Sequence, residues 1–293
     1  MSGICAGRTV IVTGAGGGLG RAYALAFAAE GAAVVVNDIN AEAAGSTVAD
    51  IEAAGGKAVA NQSDITSYDD SYNAVKAALD NFGGLDVVVN NAGICRDRMF
   101  ASMTEQEWDA VIAVHLKGHF CISSHAVHYW RAQSKEGKTV QARIINTSSG
   151  AGLNGSIGQS NYAAAKGGIA SLTLNQAAEL ERYGITANAL APSARTGMTE
   201  DVFADMMKRP EDGGFDVYDP ANIAPLVVWL GSTGSDGVTG NIFELEGGRI
   251  SVVDGYRSTP GIDKQRRWAP SEVGEGVKQL LAERVAPQKV YGT

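Results

Sequence analysis

The stretch Thr9–Gly20, TVIVTGAGGGLG, decides the fold. Five consecutive β-branched residues open it, with no polar alternation, which predicts a strand covered on both faces. Five glycines follow within seven residues, and then LGRAYALAFAAEG, a helical run ended by Gly31. Glycine lets the backbone turn sharply and approach a ligand closely. The helix after the turn offers free N–H groups and a positive end to an anion such as a diphosphate. The pattern is T-G-x-x-x-G-x-G, on Thr13, Gly14, Gly18 and Gly20, with Leu19 in the same cofactor loop; the spacing G-x-G-x-x-G does not occur in it. Asp38 ends the next apolar run, AAVVVND. A carboxylate there accepts from both hydroxyls of an adenosine ribose and repels a 2′-phosphate. Its neighbours Asn37, Ile39 and Asn40 supply no cation for such a phosphate, which favours NAD over NADP.

The same alternation continues downstream. KAVANQSD, LDVVVNNAG, ARIINTSS, ITANALAP and NIFELEGG read as further strands. Helical stretches lie between them, including SYDDSYNAVKAALDNF capped by Ser67 and one long helix from Thr104 through HLKGHF to Trp130. Apolar strands joined by helical crossovers predict an α/β fold: a Rossmann-type doubly wound sheet of about seven parallel strands with helices on both faces. No linker or repeat divides the chain. It reads as one domain, 1–293, with a core of about 6–250 and an extension of about 251–293 that contains one short helix, PSEVGEGVKQLLAERV.

Composition sets the outer limits. Of the 293 residues 45% are apolar and 19% charged, and the net charge is −8, which disfavours nucleic acid as a partner. Cys5, Cys95 and Cys121 are odd in number and lack C-x-x-C spacing, so neither a disulfide framework nor a zinc ribbon is expected. No run approaches the ~18 apolar residues of a membrane span, and no signal-type h-region follows the first residues. The expectation is a cytoplasmic protein without a membrane partner.

Chemistry enters with GQSNYAAAKGG, Gly158–Gly168. Tyr162 and Lys166 are four apart and share a helix face. A free phenol titrates near ~10, too high for a base at neutral pH. A nearby ammonium favours the phenolate and lowers that value. A poised acid/base is what oxidation of a carbinol needs, since its hydroxyl proton leaves as the carbonyl forms. Alone the Y-x-x-x-K spacing is common; following NTSS and a dinucleotide loop, it is specific.

Taken together, TGAGGGLG, NNAG, NTSS, YAAAK and the proline-led segment after the sixth strand resemble the short-chain dehydrogenase/reductase family, in that family's order over roughly residues 6–248. VHLKGHF, NNAGICRDRMF, APSARTGMT and APLVVWL are similar to one branch of it. That branch holds the (3R)-hydroxyacyl-CoA dehydrogenase module of multifunctional enzyme type 2 and bacterial relatives acting on steroids or acyl-CoA thioesters. The resemblance implies that Tyr162 is the general acid/base, that Lys166 tunes it and binds the nicotinamide ribose, and that Ser149, thirteen residues before the tyrosine, holds the substrate oxygen. It implies NAD contacts from Asp64 and Ile65 to adenine, from Asn91, Ala92 and Gly93 along the adenosine ribose and switch point, and from Pro192 and Thr196 to the carboxamide. It also implies a homodimer or homotetramer. Two positions depart from the family pattern. His115 stands where many members have the asparagine of N-x-x-G, so either it replaces that residue in a proton relay, or the relay is built otherwise and His115 is a satisfied semi-buried histidine. Pro192-Ser193 stands for P-G, in a loop one residue shorter.

His115, His119, His125 and His128 share one helical segment, but HLKGH lacks the glutamate of H-E-x-x-H, and no metal is expected. Residues 197–218 form a long connection of the length typical of lids. Val202, Phe203, Met206 and Met207 give it one apolar face, which either packs on its own domain or closes over a bulky apolar alcohol or ketone. The expected activity is NAD-dependent interconversion of a secondary alcohol and a ketone. The rival is an NAD-binding regulator without turnover; Ser149, Tyr162 and Lys166 argue against it, and His115 leaves it room.

Overall fold

The computed structural model describes residues 3–197, 207–211, 213–255, 258, 260–283, 285 and 288–291. The apolar runs form β1 (Thr9–Thr13), β2 (Ala33–Asn37), β3 (Lys57–Asn61), β4 (Val87–Asn90), β5 (Ala142–Thr147), β6 (Ile185–Ser193), β7 (Ile242–Glu246) and β8 (Arg249–Val252). They make one sheet in the order β3-β2-β1-β4-β5-β6-β7-β8. The first seven are parallel, as expected, and β8 pairs antiparallel with β7. This eighth strand lies where the sequence suggested only the start of an extension. The tight turn at Gly247, φ 54°, is what reverses the chain there.

Alternation along each central strand feeds two cores. Val10, Val12, Val34, Val36, Val87 and Val89 pack with Tyr23 and Phe27 of α1 (Gly18–Ala29) and with Val227 and Leu230 of α8 (Ala224–Gly231). Ile11, Val35, Val88 and Ile144 face the other way. They meet Ala74 and Ala78 of α3 (Tyr68–Phe82), Ile122 and Trp130 of α5 (Gly118–Lys135), and Ala177 and Leu180 of α7 (Ser160–Leu180). Burial on both faces explains the near-continuous apolar strands. Side chains cap α2 (Ala41–Ala53) through Asn40 and α3 through Ser67. Thr104 and Glu107 form a capping box on α4 (Glu105–Ile112). By contrast α1 starts at Gly17 with no side-chain cap.

The helix expected to run unbroken from Thr104 to Trp130 is not uniform. Residues Ala113–Lys117, between α4 and α5, form a π-helical turn that includes His115. Such turns are rare and frequently mark functional sites. Beyond β8 the tail carries α9 (Pro270–Glu283), of which no residue is buried. The tail is knit locally by the Arg266–Glu272 ion pair at 2.8 Å and by Lys264 over the Trp268 ring at 4.4 Å.

Sheet order reverses between β1 and β4, which opens a crevice at their carboxyl ends. Thr13 closes its floor: its Oγ1 accepts from the Asn91 and Ala92 N–H groups at 2.9 and 3.1 Å. A Cβ on Gly20 would lie 2.1 Å from the Gly14 carbonyl oxygen and 2.6 Å from Asn91 Nδ2. Gly20→Ala is therefore expected to cost about 1–3 kcal/mol by overpacking. Gly45→Ala, in α2 with open space around it, is expected to gain about 0.5–1 kcal/mol. Urea midpoints of the two variants check both signs.

Candidate active site

A cavity of about 980 Å³ opens at the carboxyl edge of the sheet, and it is lined by Leu19, Asn91, His115, Ser149, Tyr162, Lys166, Pro192 and Thr196 among others. Eight residues expected from the sequence thus meet at one place. Ser149 ends the segment after β5 and caps α6 (Gly150–Asn154), its Oγ accepting from the Ala151 N–H at 3.2 Å. The Ser149 and Tyr162 side chains line the same cavity, and the serine hydroxyl favours the phenolate. Lys166, one turn along α7, is buried, and its Nζ donates to the Thr147 carbonyl at 2.6 Å. The Nζ lies 5.5 Å from the Tyr162 ring centroid.

The Tyr162 phenol and Lys166 are both displaced from their ordinary values. Burial dominates and drives the phenol well above its usual range, and the Ser149 hydroxyl opposes this only in part. The tyrosine is half-buried and lines the cavity. Burial acts on Lys166 in the opposite sense and brings it down to about 7. Desolvation disfavours the charged form of each group, so both shift toward neutrality.

His115 is fully buried, with its ring edge-on to Tyr162 at 5.1 Å between centroids. Its Nε2 contacts the Ile94 main chain, 3.0 Å from N and 2.8 Å from O. Which of these is the hydrogen bond depends on the tautomer. A Cβ on Gly93 would lie 2.3 Å from His115 Cε1, so that glycine is what lets the ring in. Burial, with Lys166 nearby, lowers the imidazole to about 3. His115 is thus a neutral, main-chain-bonded ring at neutral pH. Of the remaining histidines, His119 is buried and His125 Nε2 lies 2.7 Å from the Tyr68 carbonyl oxygen. No group of three or more metal-ligating side chains occurs among the described residues.

The other expected residues border this cavity or stand apart from it. Gly14 (φ 63°) and Gly18 (φ 51°) are left-handed. Asp38 at the end of β2 accepts from the Gly16 N–H at 2.9 Å and from the Asn40 N–H at 2.9 Å. A Cβ on Gly16 would lie 2.8 Å from Asp38 Oδ2, so carboxylate and loop need the glycine between them. The uncapped start of α1 and this Cβ-free cradle fit a diphosphate. Asn91 Nδ2 donates to the Thr13 carbonyl at 3.0 Å, and Ala92 and Gly93 follow it. Asp64 is exposed and accepts from Thr66. Ile65 is a core residue, and a Cβ on Gly118 would meet its Cδ1 at 2.7 Å. Met207 is buried, while Val202, Phe203 and Met206 lie outside the described residues. The base of their connection is held by Arg195, whose guanidinium bonds Asp216 twice, at 2.7 and 2.9 Å.

Several residues of the site escaped the sequence reading. Asn161, fully buried, donates to the Arg96 and Glu107 carbonyls and accepts from the Tyr162 N–H at 2.8 Å. Cys95 and Asp97 line the cavity, and burial pushes the Cys95 thiol up to about 11. Gln288, Lys289 and Tyr291 line it from the tail. Asn161 had a signal, a buried amide directly before the tyrosine; the tail residues had none.

Residues 8–207 match the short chain dehydrogenase family, and the chain belongs to it. It is an oxidoreductase of that family, acting on CH–OH groups with a nicotinamide dinucleotide. The hydroxyacyl-CoA dehydrogenase ChsB1 of Mycobacterium tuberculosis is 43% identical over 299 residues, 98% of this chain and 92% of that one. The peroxisomal multifunctional enzyme type 2 of Mus musculus is 42% identical over 269 residues, which cover 89% of this chain and 34% of that longer enzyme. A short chain dehydrogenase from Mycobacterium avium, solved by crystallography, superposes with a TM-score of 0.91 at 55% identity, covering 99% of this chain and 100% of the other. Among the described residues no helix is long and apolar enough to cross a membrane.

The lysine shift has a measurable consequence. Its proton affinity is lower folded than unfolded, so between about pH 7 and the ordinary lysine value of 10.5 the unfolded state binds more protons. Stability from this group therefore rises with pH across that window, by at most about 1.4 kcal/mol per pH unit. Lys166→Met is expected to be relatively stabilised near pH 7 and to lose that rise. Parallel urea titrations of both proteins from pH 7 to 9.5 check it.

Proposed function

We propose that this chain is an NAD-dependent 3-hydroxyacyl-CoA dehydrogenase, interconverting a secondary alcohol and its ketone on a bulky apolar substrate. The observation that carries it is the Ser149–Tyr162–Lys166 cluster, gathered on one cavity beside a glycine loop that fits a dinucleotide, with Lys166 held by the Thr147 carbonyl. Nicotinamide, when bound, accepts or returns a hydride. The chain's own side chains do the rest. Ser149 holds the substrate oxygen against Tyr162. Tyr162 takes the hydroxyl proton as the carbonyl forms, or gives it back in reduction. Lys166 is charged on a fraction of molecules near neutrality, and in that form it draws the phenol toward ionisation across the short gap. His115, neutral and bonded to the main chain at Ile94, positions the Tyr162 ring; a relay through its imidazolium is disfavoured by how hard the ring is to protonate.

Asp38 supports NAD over NADP. Its carboxylate is held by two N–H groups at the edge of the glycine loop, where a 2′-phosphate would be repelled. Gly14, Gly18 and Leu19 would hold the diphosphate. Asn91, Ala92 and Gly93 would line the adenosine ribose, Asp64 and the Ile65 main chain the adenine, and Pro192 and Thr196 the carboxamide. The acyl-CoA assignment rests on the hydroxyacyl-CoA dehydrogenase among the relatives, and it makes residues 6–250 and the tail parts of one catalytic unit. Assembly as a homodimer or homotetramer and a cytoplasmic location belong to the same reading.

Incubation with NAD and a panel of 3-hydroxyacyl-CoA thioesters and hydroxysteroids is expected to produce reduced nicotinamide, read by its absorbance. Tyr162→Phe is expected to lower kcat at least ~100-fold. NAD binding without turnover on any alcohol would support the silent regulator instead. For Asp38→Ala, weaker NAD binding with relaxed discrimination against NADP is the expected outcome of a dissociation-constant titration, and an unchanged preference counts against the carboxylate's role.

A further inference from the structure

The tail returns to the mouth of the cavity. Tyr291 pairs with Ser156 as a parallel β-bridge. Its N–H donates to the Gly155 carbonyl at 3.2 Å, and its carbonyl accepts from the Ile157 N–H at 3.0 Å. The same turn is held from its other side: Arg98 bridges Gln159, and the Arg98 N–H donates to the Gly158 carbonyl at 2.7 Å. Residues 155–159, between α6 and α7, are thus bridged to the tail at Ser156 and to Arg98 at Gln159, along the cavity that Ser156, Ile157 and Gln159 line. Gly155 (φ 83°) and Gly158 (φ 76°) give that turn its left-handed bends.

The ring of Tyr291 is placed as well as its backbone. A Cβ on Gly150 would lie 2.6 Å from the Tyr291 hydroxyl oxygen and 3.0 Å from its Cε2. Gly150 follows Ser149 directly, so the phenol of Tyr291 rests on the turn that presents the Ser149 hydroxyl. A Cβ on Gly155 would touch the Val290 γ-carbons at 3.5 and 3.6 Å. Contact is close at Gly150, so the Tyr291 ring occupies the wall next to Ser149.

We infer that Gln288–Tyr291 is a specificity strap, in which Tyr291, supplied by the chain's own C-terminal tail, walls the pocket beside Ser149 and selects substrates with a slim, unbranched carbinol end. The inference rests on the dehydrogenase reading. Main-chain bonds fix the strap in the manner of strand addition, and the side chain sets selectivity.

The test compares the full chain with Tyr291→Ala, Tyr291→Phe and a chain ending at residue 287, on an unbranched 3-hydroxyacyl-CoA and a hydroxysteroid. Tyr291→Ala and the truncation are expected to shift the kcat/KM ratio at least ~10-fold toward the steroid, within the range one pocket contact supplies. Tyr291→Phe is expected to keep the ratio, and the NAD dissociation constant is expected to stay within about twofold throughout. Gly150→Ala should shift the ratio in the full chain but not on top of Tyr291→Ala. Amide hydrogen exchange at Ile157 is expected to be slow in the full chain and fast in the truncated one. Turnover with an unchanged ratio in Tyr291→Ala, or equally fast Ile157 exchange in both chains, overturns the strap alone. No turnover by the intact chain overturns the dehydrogenase reading and the selectivity with it. Mixing the truncated chain with full-length Tyr162→Phe distinguishes the strap's source: recovered selectivity would place it on a neighbouring subunit and overturn the same-chain assignment.

Discussion

One constraint organises this site: Lys166 is kept out of water, one helical turn from a phenol that lines the cavity. Burial pulls Lys166 down to about 7 and pushes Tyr162 up, so neither group carries a full, settled charge near neutrality. A lysine this buried needs a polar partner, and the Thr147 carbonyl at the end of β5 supplies it. The pair is thereby tied to the sheet edge rather than to a mobile loop, the placement that keeps reacting groups within tight geometric limits.

The neighbouring elements serve that placement. Asn161 anchors the start of α7 through the Arg96 carbonyl, between Cys95 and Asp97, and the Glu107 carbonyl of α4. α6 rides close on α7, since a Cβ on Gly152 would lie 2.5 Å from the Lys166 carbonyl carbon. The π-helical turn sets the buried His115 edge-on to the tyrosine, and Gly93 makes room for it. On the cofactor side the same logic holds. Thr13, Asn91 and the glycines let β1, β4 and α1 meet closely enough to leave a cradle without side chains.

The strand positions, the parallel sheet and the spacing of Tyr162 and Lys166 were legible because each has a local signature. β-branched runs, glycine turns, the Ser67 and Thr104 caps and the Y-x-x-x-K spacing are all read within a dozen residues. What was not legible depends on contacts distant in sequence. The π turn is set by His115 packing on Gly93, twenty-two residues earlier. The raised phenol of Tyr162 follows from desolvation in the folded site, which spacing does not report. β8 is one two-residue turn from β7 yet carries little periodicity, and Tyr291 reaches Gly155 across more than a hundred residues.

The weakly held proton on Lys166 can be read directly. With lysine labelled at Cε, an NMR titration of the protein without cofactor follows the Lys166 resonance from pH 5 to 11, assigned by its loss in Lys166→Met. Burial beside the Thr147 carbonyl predicts a midpoint near 7. A midpoint at the ordinary lysine value near 10.5 would mean that water reaches the ammonium, and the account of the site as a proton-exchanging pair built on a buried lysine would be contradicted.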